Sequence, residues 1–231
     1  MDLVKFECCL RPYYMHLIQG KCSINYSDAC HINTTLFCFS KYWLFTIRHK
    51  QVMSYCRETG TRHHLEHVAR RQRSGRVTVH VWGWMDGRGR GTLHRLPPIF
   101  NATNYLQLLQ DEFLPAVRRL RETPVHFQQD FSPVHQARVV REWLEEAEDV
   151  QLEPWVARAP DLSPIENVWG RMTYHLTPHL RDRRLTADQL WALVQEAWEA
   201  AVSPEYCRRL ADSVPDRLRE TVAAGGHWSG Y

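Results

Sequence analysis

Two acids stand where acids can do chemistry. Asp130 follows the short apolar run Val125-His126-Phe127, and Glu166 sits two places beyond Pro164, a residue favoured in the first turn of a helix. In open α/β sheets, reactive groups gather at the carboxyl ends of strands. Two carboxylates meeting there repel unless a divalent cation lies between them. Mg²⁺ takes oxygen ligands and keeps several waters, so two or three carboxylates hold it. Two such ions roughly 3.5–4 Å apart can activate the attacking oxygen and stabilise the leaving oxygen of a phosphodiester. The same residues also have plain structural uses, Asp130 in a turn and Glu166 as an acid on a helix dipole. Spacing alone leaves both uses open.

Other candidates are weaker. His135 lies close after Asp130 and reads equally as a local packing or capping histidine at a helix start. His63 and His67 are four apart, which suits a zinc pair on a helix, but HHLEH is not HExxH in register, and a basic surface segment accounts for it better. The Cys-rich opening has no C-x₂-C spacing, so a zinc ribbon is not expected, and nothing positions a Cys/His nucleophilic pair. The stretch RHHLEHVARRQRSGR, with Arg70, Arg71, Arg73 and Arg76, is either a phosphate-binding strip or a solvated Arg-rich loop.

The elements that must carry these residues are readable. Val77, Val79 and Val81 alternate with Thr78, His80 and Trp82 as a strand does, and WMDGRGRG is a turn leading to a return strand over Thr92–Leu96. No helix follows those glycines, so they do not cradle phosphate in the manner of a P-loop. Asn101 to Leu120 has helical spacing of apolar residues. Val125–Phe127 and Val150–Leu152 are short strands around a helix expected from Pro133 to Ala147. Further helices start near Pro164, at the Thr186/Gln189 capping box, at Ser203-Pro204 and at Pro215. This order predicts an α/β layered domain with a mixed sheet. The tryptophans Trp82, Trp84, Trp143, Trp169, Trp191 and Trp198 read as scaffold rather than base-stacking platforms.

Composition sets the class. The chain has 231 residues, 44% hydrophobic and 24% charged, which is globular and excludes disorder. The longest apolar stretch, Thr35 to Ile47, carries Lys41 and is too short to span a bilayer. Asp2 and Glu7 interrupt the N-terminus, so a secretory signal is not expected, and an intracellular location with free thiols follows. A seam divides the chain. All four lysines and four of six isoleucines lie in the first fifty residues, and six of seven cysteines lie in the first 56. Alanine shows the reverse, with Ala29 alone before Ala69. Residues 1–44 are therefore expected to derive from other coding material, an exon or translated flanking sequence, and 45–231 to form the domain. Charge is segregated too. Residues 61–100 hold eight Arg against Glu66 and Asp86, whereas 101–231 hold fourteen Arg against twenty acids.

Several ordered motifs together carry a resemblance. FQQDFSPVH (127–135) and PDLSPIENVW (160–169) are similar to the catalytic core of Tc/mariner-superfamily DDE transposases. The thirty-five residues between Asp130 and Glu166 are close to that family's spacing. VHVWGWMDGRGRG (79–91), NYLQLL (104–109) and the tail from Ala211 extend the similarity from about Phe45 to the C-terminus. The resemblance implies an RNase H-like mixed sheet flanked by helices, and metal-dependent cutting and joining of DNA with Mg²⁺ or Mn²⁺. Asp130 and Glu166 match the second and third catalytic, metal-holding acids, with His135, Asn167 and Asp161 in support.

The first acid belongs on the first strand, in a pattern like SDESxF. Placing Phe45 on its Phe puts Lys41 where the Asp belongs. Asp28 lies too far upstream to be the favoured replacement. The first strand is thus expected to be atypical or incomplete, with Leu36 to Phe39 as its substitute. The endonuclease and strand-transfer chemistry is expected to be impaired, leaving at most weak single-ion binding by Asp130 and Glu166. Phe131, Val156 and Ala159 also depart from the family pattern. No counterpart of the family's helix-turn-helix region is found, so DNA binding without sequence specificity is expected, and with it a nuclear location. A homo-oligomer is compatible with this reading and a membrane partner is not. The alternative is a non-enzymatic DNA-binding remnant or scaffold using the Arg-rich segment 62–76.

Overall fold

A computed structural model describes residues 37–47, 77–120, 124–153, 155, 159–180 and 184–224. Five strands form one sheet: β1 Phe37–Ile47, β2 Val77–Asp86, β3 Gly89–Leu96, β4 Val125–Gln128 and β5 Val150–Leu152. Their spatial order is β3-β2-β1-β4-β5. β1 pairs antiparallel with β2 and parallel with β4, and β4 pairs parallel with β5, so the sheet is mixed, as the order of elements predicts. The β2–β3 turn is held by Asp86, whose Oδ1 accepts from the backbone N–H of Arg88 and Gly89.

β1 is the central strand. Its pattern FCFSKYWLFTI alternates large apolar residues on both faces because both faces are covered. Phe37, Phe39, Trp43 and Phe45 join one core, and Cys38 and Tyr42 join the other. The strand expected to be atypical or incomplete thus pairs with a neighbour on each side and is covered on both faces, and the compositional seam at residue 44 falls inside it.

The first core lies under α4 Pro164–Leu180, α5 Ala187–Ala201, α6 Pro204–Asp212 and α7 Val214–Ala223. Its centre is Trp169, stacked with Trp198 (ring centroids 5.6 Å apart) and Trp43 (6.3 Å) and edge-on to Phe45. Gly83, opposite Lys41 in the sheet, lets this stack approach, since a Cβ there would lie 3.0 Å from the Trp169 ring. The second core lies under α1 Ala102–Leu108, α2 Leu114–Arg119 and α3 Arg138–Glu146. Trp82, Trp84, Trp169 and Trp198 are buried, and Trp143 and Trp191 pack partly buried against the cores. They are scaffold, as expected.

Two expected helices differ in detail. The helix over Asn101–Leu120 is interrupted by a π-helical turn, Leu109–Phe113. Tyr105, Leu109, Phe113 and Val117 are all buried at four-residue spacing, which overruns a 3.6-residue turn, and one wider turn restores the phase. Pro115 also has no N–H for the ladder there. The helix expected from Pro133 starts only at Arg138. The residues before it form a turn in which Asp130 Oδ1 accepts from the Ser132 N–H (3.0 Å) and the Ser132 carbonyl accepts from the Gln136 N–H (3.0 Å). Side-chain acceptors outcompete the helix at this point.

Candidate functional site

Position 41 lies on the face of β1 that looks toward α4, between Phe39 and Trp43. β4 runs parallel to β1 with Gln128 beside Phe39. Extending that register two places sets Asp130, just past the end of β4, beside Lys41. Glu166 reaches the same spot from the first turn of α4. The three side chains converge. Lys41 Nζ donates to Glu166 Oε1 and stands 4.0 Å from Asp130 Oδ2, in a half-buried setting.

The ion triad lines a cleft of ≈ 410 Å³ with Ser40, Gln128, Phe131, Trp155 and Ser163. Gln128 ties its walls together. Its carbonyl accepts from Ser40 Oγ on β1 (3.2 Å), and its Oε1 accepts from Ser163 Oγ (3.4 Å) just ahead of α4. Phe131, where the family pattern has Asn, is half exposed at the rim.

Asp130 is held by its neighbours. His135 Nδ1 is 2.7 Å from Asp130 Oδ1 and 3.3 Å from the Asp130 carbonyl, so Nδ1 faces two acceptors and carries the proton. Burial pushes the Asp130 carboxyl up, but the hydrogen bond and charge of His135, the Ser132 N–H and the Lys41 ammonium outweigh it and hold the pKa at about 2. His135 is itself buried, with its ring 4.3 Å from that of Tyr105. Tyr105 donates to Gln129 Oε1 (2.8 Å), and Gln129 Nε2 donates to the His135 carbonyl (3.4 Å). His135 thus sits in a turn rather than at a helix start, and it faces the acid directly.

The residues flanking Glu166 work through a partner that the motif reading missed. Arg217 on α7 is buried, and it donates to the Asp161 carbonyl (2.8 Å), Asn167 Oδ1 (2.9 Å) and Ser213 Oγ (2.8 Å). Asn167 therefore turns toward α7, and its carbonyl accepts from Tyr206 Oη (3.2 Å). A signal was present, because Arg217 shares one helical face with Val214, Leu218 and Thr221, all buried. Ser40, Gln128, Ser163 and Trp155 were also not singled out by sequence. Arg70, Arg71, Arg73, Arg76, His63, His67 and Asp28 lie outside the described residues.

A mixed five-stranded sheet, helices on both faces, and two acids meeting at a strand end and a helix head define an RNase H-like domain of the nuclease type. The family model described as DDE superfamily endonuclease matches residues 48–190. The chain belongs to that superfamily, as a catalytic domain of the Tc/mariner transposases. It is 30% identical over 158 residues to the transposase of transposable element Tcb2 of Caenorhabditis briggsae, covering 68% of this chain and 56% of that protein. The Mos1 transposase paired-end complex with left transposon end superposes with a TM-score of 0.69 at 23% identity, covering 99% of this chain and 65% of that one. The Mos1 transposase catalytic domain with Raltegravir and Mg gives 0.66 at 17% identity, covering 99% of this chain and 100% of that one. The chain spans roughly half to three-fifths of the length of the curated relatives it matches.

Related Mos1 structures hold Mg or Mn. The residues at this cleft do not fit such ions. Two carboxylates converge on one ammonium, which is already bonded to Glu166 and stands 4.0 Å from Asp130. Among the described residues, no group of three or more His, Cys, Asp or Glu side chains is placed to hold a metal. Nor, among the same residues, is any helix long and apolar enough to cross a membrane.

Proposed function

We propose that this domain keeps the DNA partnership of its family while its own strand-cutting site is blocked. The observation that carries this reading is the Lys41 ammonium lodged between Asp130 and Glu166. Cleavage in this class needs cations stabilising charge on the phosphodiester oxygens, and a fixed positive side chain repels ions from that place. The test is a nicking assay of the purified chain on supercoiled DNA with Mg²⁺ or Mn²⁺. No cutting is expected, and robust cutting abolished by Asp130→Ala overturns the proposal.

A second reading, non-enzymatic DNA binding through segment 62–76, is favoured by the eight Arg against two acids in residues 61–100. Such binding is sequence-independent and weakens steeply with salt. A titration at two salt concentrations tests it, and negligible or salt-insensitive binding rules it out. DNA as partner implies the nucleus. The Lys at position 41 is attributed to the different coding origin of residues 1–44, for which uniform base composition across codon 45 is the contrary result.

A further inference from the structure

We infer that the Lys41 ammonium takes over the electrostatic task of a divalent ion, so that β1, β4 and α4 are held together at this cleft by a tethered cation and the folded domain neither needs nor binds Mg²⁺ or Mn²⁺ there. The inference rests on the blocked-site reading above and adds that the block is also a structural replacement.

The physical argument starts from what the two acids need. Asp130 and Glu166 are brought together by elements remote in sequence, and their carboxylates repel across a half-buried cleft. A cation between them is the ordinary remedy. Lys is suited to it, since its ammonium is a compact point charge with three donors on a flexible stem. Here the stem starts from the central strand, among Phe39, Trp43 and Phe45, and the head bonds Glu166 while standing 4.0 Å from Asp130. The rest of the surroundings agree with one bound cation. His135 and the Ser132 N–H satisfy Oδ1 of Asp130, and Oδ2 is the oxygen nearest Lys41. Gln128, Ser40 and Ser163, which line the cleft, spend the hydrogen bonds shown on one another.

The replacement also differs from a metal in kind. An ion leaves when chelated, and its binding free energy depends on its concentration. An ammonium fixed to β1 stays at the cleft whatever the ion concentration, so the contact is indifferent to chelators. The strand that carries it is central, which makes the cleft part of the sheet's own stability.

The experiment uses the full chain without DNA, so its failure is separable from failure of the nicking result. Thermal melts and calorimetric titration are run with EDTA, Mg²⁺ and Mn²⁺ on the unaltered chain and on Lys41→Arg, Lys41→Met and Lys41→Asp. The unaltered chain and Lys41→Arg are expected to show no titratable Mn²⁺ heat and no shift in melting temperature. Lys41→Met is expected to melt lower by roughly 2–8 °C and to regain stability with Mn²⁺. Lys41→Asp, with three carboxylates converging, is expected to bind Mn²⁺ at least about tenfold more tightly than Lys41→Met. Mn²⁺ binding by the unaltered chain that is lost in Asp130→Asn overturns the inference. So does a Lys41→Met variant as stable as the parent and unresponsive to Mn²⁺. If a variant does not fold, the titration of the unaltered chain still decides.

Discussion

His135 Nδ1 lies 2.7 Å from Asp130 Oδ1, inside the protein and backed by the Tyr105 ring. This pair, more than the ammonium on the other side, keeps Asp130 ionised: the hydrogen bond and charge of His135 are the largest of the effects that lower its pKa, acting against burial. The acid is thus oriented and charged by a residue five places on, through a turn that replaces the start of a helix.

A pH dependence follows. The Asp130 carboxyl titrates at about 2 in the folded domain and near 3.8 in the unfolded chain. Between these values the unfolded state binds more protons, so the stabilisation is fully present above about pH 4 and lost as pH falls toward 2. Melts across this window are expected to show a loss in the parent chain that is smaller in Asp130→Asn. Equal acid sensitivity in both would contradict the assignment.

Arg217 is expected to matter on the scale of many apolar core residues. Replacing it by Met keeps the stem but leaves the Asp161 carbonyl and Asn167 Oδ1 without their buried donor. A loss of about 2–4 kcal/mol is expected on denaturant unfolding, with Arg217→Lys intermediate because it cannot reach the same three acceptors. A change below about 0.5 kcal/mol would show that water replaces the guanidinium.

Trp169 joins β1 to α5 through its contacts with Trp43, Phe45 and Trp198. Trp169→Ala is expected to cost about 3–5 kcal/mol, the range for a large aromatic removed from a packed core. Equilibrium unfolding followed by circular dichroism measures it.

The thiols of Cys38 and Cys207 are expected to be silent in the native domain. Burial pushes the Cys38 thiol well up, with Asp86 adding to it, and pushes Cys207 up to about 12. Thiolate is the reactive form, so both should resist a maleimide at neutral pH and react only on unfolding. Fast native labelling at either site, read by peptide mapping, would show that the cores open.

Much of the domain was legible in the chain. The Thr186/Gln189 capping box, the helix-start prolines Pro164, Pro204 and Pro215 and the alternation of β2 are local devices, and the elements they mark form where expected. The helix after Asp130 was misplaced because Asp130 and Ser132 spend their side-chain oxygens on nearby backbone N–H groups. The π-helical turn escaped because four-residue spacing looks helical until each member must be buried. Arg217 escaped because its use depends on a carbonyl and an amide fifty or more residues away.

From the order of residues alone one can tell which acids the motifs single out, that position 41 carries a lysine, and which family the motifs resemble, because these are matters of type and spacing. What the lysine at 41 does with its charge is another matter. Its reach to Glu166 spans 125 positions and comes from strand pairing, sheet face and helix docking acting together. Only in the assembled sheet does this ammonium meet both Asp130 and Glu166.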